Sequence, residues 1–162
     1  MNTAYELLAA HPFMAGIPDR FLSRMALYSH RAVFHAGARV FNEGGHADRF
    51  WLIRDGRVDL DATAPGRGRI VIDTIEAGQV LGWSWLFPPY RWHFGASAAG
   101  PVLAVALDGP GIRALCAAEP ALGHDLTTRL MQVVVARMQA TRARLLDPGA
   151  APRAEGTEAY SV

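Results

Sequence analysis

Residues 82–98 read Gly82-Trp83-Ser84-Trp85-Leu86-Phe87-Pro88-Pro89-Tyr90-Arg91-Trp92-His93-Phe94-Gly95-Ala96-Ser97-Ala98, and they concentrate the side chains best able to hold a ligand. Three of the four Trp in the chain stand here, with Phe87 and Phe94 beside them. Indole and phenyl rings can line a pocket for a planar or apolar molecule. The same rings can instead fill the interior, with the Trp N–H and Tyr90 hydroxyl groups partly satisfied. Both readings stand at this point. The residues they concern are Gly82, Trp83, Ser84, Trp85, Arg91, Trp92 and Phe94.

Other groups offer less. The six histidines (His11, His30, His35, His46, His93, His124) include no His-x-His or His-Glu-x-x-His pair, so no metal site is expected. Cys116 is the single cysteine. It falls in an apolar helical turn and reads as an inert small hydrophobe, and no spacing pairs it with a His for haem ligation. Asp59 and Asp61 alternate with Val58 and Leu60, which places both carboxylates on one side of a strand, a solvated face. Arg67 and Arg69 belong to a Gly-rich turn and read as solvated. No Gly-x-Ser-x-Gly elbow or Ser/His/Asp set appears. The chain is therefore not expected to be an enzyme or to carry a cofactor.

These side chains need elements to position them. Tyr5, Leu7, Leu8 and Phe13 make one helical face that Pro12 breaks. Pro18 opens a second helix with Phe21, Leu22, Met25 and Leu27 on its apolar face. The period then changes to two. Residues 32–34, 40–41, 50–53, 58–62, 70–75 and 102–107 are predicted strands separated by Gly-rich turns. Asp55-Gly56 between apolar strands is a hairpin signal. Many short strands at this spacing predict a sandwich or barrel. Asp108 or Gly109 and Pro110 start a helix, and Pro120 opens a longer one that Pro148-Gly149 stops. Residues 150–162 lack any period and read as a disordered tail.

The long helix carries Met131, Val134, Met138, Thr141 and Leu145 at alternating spacings of three and four, a short heptad seam suited to a twin helix. Leu126, Leu130 and Val133 form a second apolar face for the strands. Arg129, Arg137, Arg142 and Arg144 spread around the helix as a solvated face.

Composition sets the limits. The 162 residues suit one domain, with 51% hydrophobic and 19% charged residues. A formal net charge of +1 argues against nucleic acid as the main partner. All sixteen basic residues are Arg. One cysteine, no basic-then-apolar N-terminus and no apolar run near twenty residues lead to the expectation of a cytoplasmic protein with no membrane span.

The order of elements, with glycines in register, resembles the cyclic-nucleotide-binding domain of Crp/Fnr-type regulators. Residues 34–44 (Phe34-His35-Ala36-Gly37 through Asn42-Glu43-Gly44) look like its first hairpin. Residues 47–58, with Asp55-Gly56, resemble its best-marked strand-turn-strand segment. Ile75-Glu76-Ala77-Gly78-Gln79-Val80-Leu81-Gly82 resembles the lead-in to its phosphate-binding cassette. The resemblance spans about residues 5–146 and implies a β jelly roll with flanking helices. The implied domain runs over 1–147: N-terminal helices 3–28, jelly roll 31–107 and C-terminal helices 109–147, followed by a tail, 148–162. It also implies a homodimer through the long helix.

In nucleotide-binding members a Glu follows the cassette glycine and takes the ribose hydroxyl, while a later Arg and a helix N-terminus hold the cyclic phosphate. Here Trp83 stands at the Glu position, and Phe94 or Gly95 at the Arg position. A charged phosphate buried without that Arg would be costly. Arg91 is either a displaced anion clamp or a solvent-facing Arg between two aromatics. The cassette runs like that of a branch of stand-alone bacterial members. Two functions follow: a sensor whose aromatic pocket takes a small molecule other than cAMP, or a protein–protein module whose pocket is plugged by its own rings. Beyond the long helix no DNA-reading helix-turn-helix is expected, so output is expected to pass through another protein.

Overall fold

The computed structural model describes residues 2–147; the predicted tail lies outside them. Helix α1 (Ala4–Ala10) starts with a capping box in which Thr3 accepts from the Glu6 amide and the Glu6 carboxylate accepts from the Thr3 amide. His11 then ends α1 and caps a single 3-10 turn, Pro12–Met14, before α2 (Asp19–Ala26). Phe21, Leu22 and Met25 of α2 are buried, but Leu27 is 83% exposed and does not belong to that apolar face.

Eight strands follow: β1 (Ser29–Phe34), β2 (Arg39–Phe41), β3 (Arg49–Asp55), β4 (Arg57–Ala64), β5 (Gly68–Glu76), β6 (Val80–Leu81), β7 (Gly95–Ala98) and β8 (Val102–Asp108). They form two four-stranded antiparallel sheets, ordered β1-β8-β3-β6 and β2-β7-β4-β5. Helix α3 (Gly109–Ala118), capped by Asp108, leads into α4 (Pro120–Leu146). This is the antiparallel jelly roll with flanking helices and a long C-terminal helix that the sequence predicts.

The core has two layers. One lies between the sheets and contains Phe41, Trp51, Ile53, Val58, Leu60, Ile75 and Trp92. The other lies between the first sheet and the helices and contains Leu8, Met25, Phe50, Leu52, Trp85, Ile112, Leu122, Leu126 and Leu130. Residues 50–53 are continuously apolar because β3 is covered on both faces: Phe50 and Leu52 serve one layer, Trp51 and Ile53 the other.

Two predicted hairpins are corrected. Strands β3 and β4 lie in different sheets, so Asp55-Gly56 turns a corner between sheets and does not close a hairpin. Gly56 is required there for two reasons. Its φ is +90°, and a Cβ would run into the Pro101 carbonyl. The 34–44 segment behaves alike, since β1 pairs with β8 and β2 with β7. A Gly-containing turn reports a sharp change of direction; which strand lies alongside afterwards depends on partners distant in sequence. The hairpin proper is β4–β5, paired from end to end except for a bulge at Ile72.

Candidate functional site

Residues 82–94 cross from β6, at the edge of the first sheet, to β7, inside the second. The crossing is anchored on the turn before β3. Trp92 donates its amide to the Gly45 carbonyl at 2.9 Å and accepts from the Gly44 amide at 2.8 Å, while Ala47 donates to the Tyr90 carbonyl at 2.7 Å. An isolated antiparallel bridge joins His46 to Arg91. In such an extended segment neighbouring side chains point to opposite sides. Arg91 accordingly is exposed and Trp92 is buried.

The three Trp residues go to different places. Trp92 is 4% exposed and stacks on Phe41, with centroids 3.8 Å apart and planes 10° apart. Trp51 lies 6.1 Å from Trp92 and 5.7 Å from Phe41, which completes an aromatic stack between the sheets. The stack presses on Gly82, whose φ is +96°; a Cβ there would lie 2.8 Å from the Trp92 ring. Trp85 is fully buried in the helix-side layer, stacked on Phe50 at 4.3 Å. Its indole N–H has no hydrogen-bond partner among the described residues. Its carbonyl accepts from Arg113, whose guanidinium lies over the Tyr90 ring at 4.1 Å. Trp83 and Phe94 are half-buried and meet edge to face at 5.3 Å. Ser84 is buried and Phe87 exposed. The structure thus brings Gly82 and Trp92 together, and Trp83 and Phe94 together. It sends Trp85 to the opposite face of the first sheet and Arg91 to solvent.

One polar cluster escapes sequence reasoning. Asp59 and Asp61 do share a face, but Asp61 is only 4% exposed and is not solvated. Arg39 on β2 grips it with both terminal nitrogens, the longer contact being 2.8 Å. Arg39 also donates to the Ser97 hydroxyl and to Asn42, each at 2.8 Å. The carboxylate raises the Arg39 pKa further through these hydrogen bonds. Gly95 lies directly beneath the pair, where a Cβ would overlap the guanidinium. Nothing in the local pattern joins Arg39 to Asp61; β2 and β4 meet only through β7.

The arginines of α4 are corrected likewise. Arg129 donates to Asp125 at 2.6 Å and to the Phe13 carbonyl at 2.8 Å, and Arg137 is paired with Asp73 of β5. Arg142 is exposed as expected. On the predicted seam Met131, Met138 and Leu145 are 59%, 63% and 61% exposed, with Val134 and Thr141 half-buried.

His11 is buried, a result that its sequence neighbours do not signal. Its Nδ1 accepts from the Phe13 amide at 3.1 Å, so Nε2 carries the proton donated to the Ile53 carbonyl at 2.9 Å. Burial lowers its pKa below the ordinary histidine value. Burial also raises the Cys116 thiol pKa, which disfavours the thiolate form. No cluster of three or more potential metal ligands occurs among the described residues.

A family model described as "Cyclic nucleotide-binding domain" matches residues 31–119. The chain belongs to this family. A CRP-like cAMP-activated global transcriptional regulator of Mycobacterium tuberculosis is 24% identical over 142 residues, and the chain spans 62% of that relative's length. A solved structure from Geobacter metallireducens, described as cyclic nucleotide-binding, is 28% identical with a TM-score of 0.75. It covers 85% of this chain and 99% of that one. A cyclic nucleotide-binding domain from Methylobacillus flagellatus has a TM-score of 0.74 at 21% identity, covering 88% and 80% of the two chains, and shares the fold. The domain is of regulatory type, and none of its described helices is long and apolar enough to cross a membrane.

Proposed function

We propose that this is a regulatory domain of the cyclic nucleotide-binding family whose cassette does not take cAMP in the usual way. Trp92 carries the reading: stacked on Phe41 and pressed on Gly82, it occupies the space between the sheets at the mouth of the cassette. Trp83 and Phe94 add to it, because the resemblance places a Glu at position 83 and an Arg at 94 or 95, and this chain offers two rings in contact. The nearby guanidinium of Arg39 is already neutralised by Asp61. A cyclic phosphate would have to displace that carboxylate, leaving a buried charge without its partner.

The output surface is the exposed seam of α4. Met131, Met138 and Leu145 present one apolar stripe that suits the same stripe of a second copy. In this reading a homodimer transmits the state of the domain to a protein partner.

Titration of the purified chain with cAMP and cGMP by calorimetry tests the first part. No heat is expected up to millimolar nucleotide; micromolar or tighter binding of cAMP overturns it. Light scattering tests the second. A dimer that becomes monomeric in Met138→Glu is expected, and a monomer at high micromolar concentration refutes it.

A further inference from the structure

We infer that the cleft between α4 and the β5–β6 turn is a binding site for a small monocarboxylate with an apolar body. The cleft has a volume of about 370 Å³, within the range of small-molecule sites, and shares no residue with segment 82–94. It is graded along α4. Val133 and Ala136 supply its apolar stretch of helix, and Phe13 and Val80 also line it. Arg137, Ala140 and Arg144 continue the same helix face toward the C-terminus, with Thr74 and Asp73 opposite. From Val133 to Arg144 the helix rises about 16 Å, room for a chain of about eight carbons.

The charges select the ligand. Arg137 donates to Asp73, which cancels one of the two guanidinium charges. Among the described residues Arg144 donates only a weak 3.3 Å hydrogen bond to Thr141, its neighbour on the helix. The Nε–H groups of both Arg137 and Arg144 are buried without a hydrogen-bond partner among the described residues. Buried guanidinium N–H groups ordinarily find an acceptor, and a carboxylate accepts such forks well. The balance of Arg137, Arg144 and Asp73 is one positive charge, which matches a monoanion. A cation would be repelled, and a phosphate dianion would bring excess charge. A bound ligand would tie α4 to the turn between β5 and β6, so occupancy bears directly on the helix. This inference stands whether or not the cassette is closed.

The test is a titration of the full-length, nitrogen-15-labelled chain with octanoate, followed by amide chemical shifts. Shifts centred on Gly78, Gln79 and Ala140 are expected, with a Kd of about 1 mM or below. The uncharged 1-octanol and the variant Arg144→Gln should each bind about tenfold more weakly or worse, which reads out the charge-assisted contact. Inorganic phosphate alone should give weaker binding than octanoate, since it leaves the apolar end unused. The inference is overturned by any of four results: no shifts at about 10 mM octanoate, shifts centred elsewhere, equal binding of octanol or phosphate, or unchanged affinity in Arg144→Gln. Melting curves of the variant verify that it is folded.

Discussion

Replacing Trp92 with Ala tests the closed cassette most directly. The ring is almost wholly buried and stacks on Phe41 at 3.8 Å. Its removal leaves a void on the order of 100 Å³, and at about 24 cal/mol per Å³ the void alone costs about 2.4 kcal/mol. Lost transfer energy brings the total to about 3–5 kcal/mol, the usual range for Trp→Ala in a core. At about 2–4 °C per kcal/mol for a domain of this size, the Tm should fall by about 6–20 °C in thermal melts followed by circular dichroism. The void keeps two ring walls, Phe41 and Trp51. Indole should therefore refill it and raise the Tm of Trp92→Ala, but not of the parent chain. At ten times its Kd the gain is about 1.4 kcal/mol, or about 3–6 °C. A loss below about 1 kcal/mol, or a Tm of Trp92→Ala indifferent to indole, would show that Trp92 does not fill the cassette. Should the Ala variant fail to fold, Trp92→Phe, which retains a stacked ring, supplies the smaller version of the same measurement.

Three further outcomes are expected. The double variant Trp83→Glu, Phe94→Arg should still bind no cAMP by calorimetry while Trp92 remains; micromolar binding would show that the two missing polar residues alone set the specificity. Arg39→Met should destabilise by about 2–3 kcal/mol in urea unfolding, because it leaves the buried Asp61 carboxylate facing the more distant and exposed Arg69, 3.9 Å away, and adding Asp61→Asn should recover part of the loss; full additivity of the two changes would refute the pairing. His11, whose folded pKa lies below the unfolded value near 6.5, contributes fully at neutral pH. As pH falls below about 6.5 the unfolded chain takes up the proton first, and stability should fall by at most about 1.4 kcal/mol per pH unit. His11→Asn keeps a capping acceptor and should remove that slope; a slope unchanged in the variant rules out His11 as its source.

The sequence by itself determined the helices, six of the eight strands and their order; β6 and β7, which flank the aromatic segment, were not among the predicted strands. Proline and capping residues bound the helices, and Gly-rich turns bound the strands, because backbone angles and terminal hydrogen bonds are settled within a few residues. The family pattern was also legible, since it lies in glycines whose left-handed backbone excludes other residues, as at Gly56 and Gly82. Only the tertiary structure decided where the side chains went. Trp85 and Trp92 are similar indoles seven residues apart, yet one stacks on Phe50 under the helices and the other on Phe41 between the sheets. Asp59 and Asp61 share one strand face, yet Asp61 is buried because Arg39 arrives from β2. Arg137 is one charge among several on α4 until Asp73 of β5 lies across from it. In each case the deciding partner lies on another strand or helix, brought near by sheet order. Burial and pairing depend on that three-dimensional neighbour, and periodicity along a chain carries no record of it.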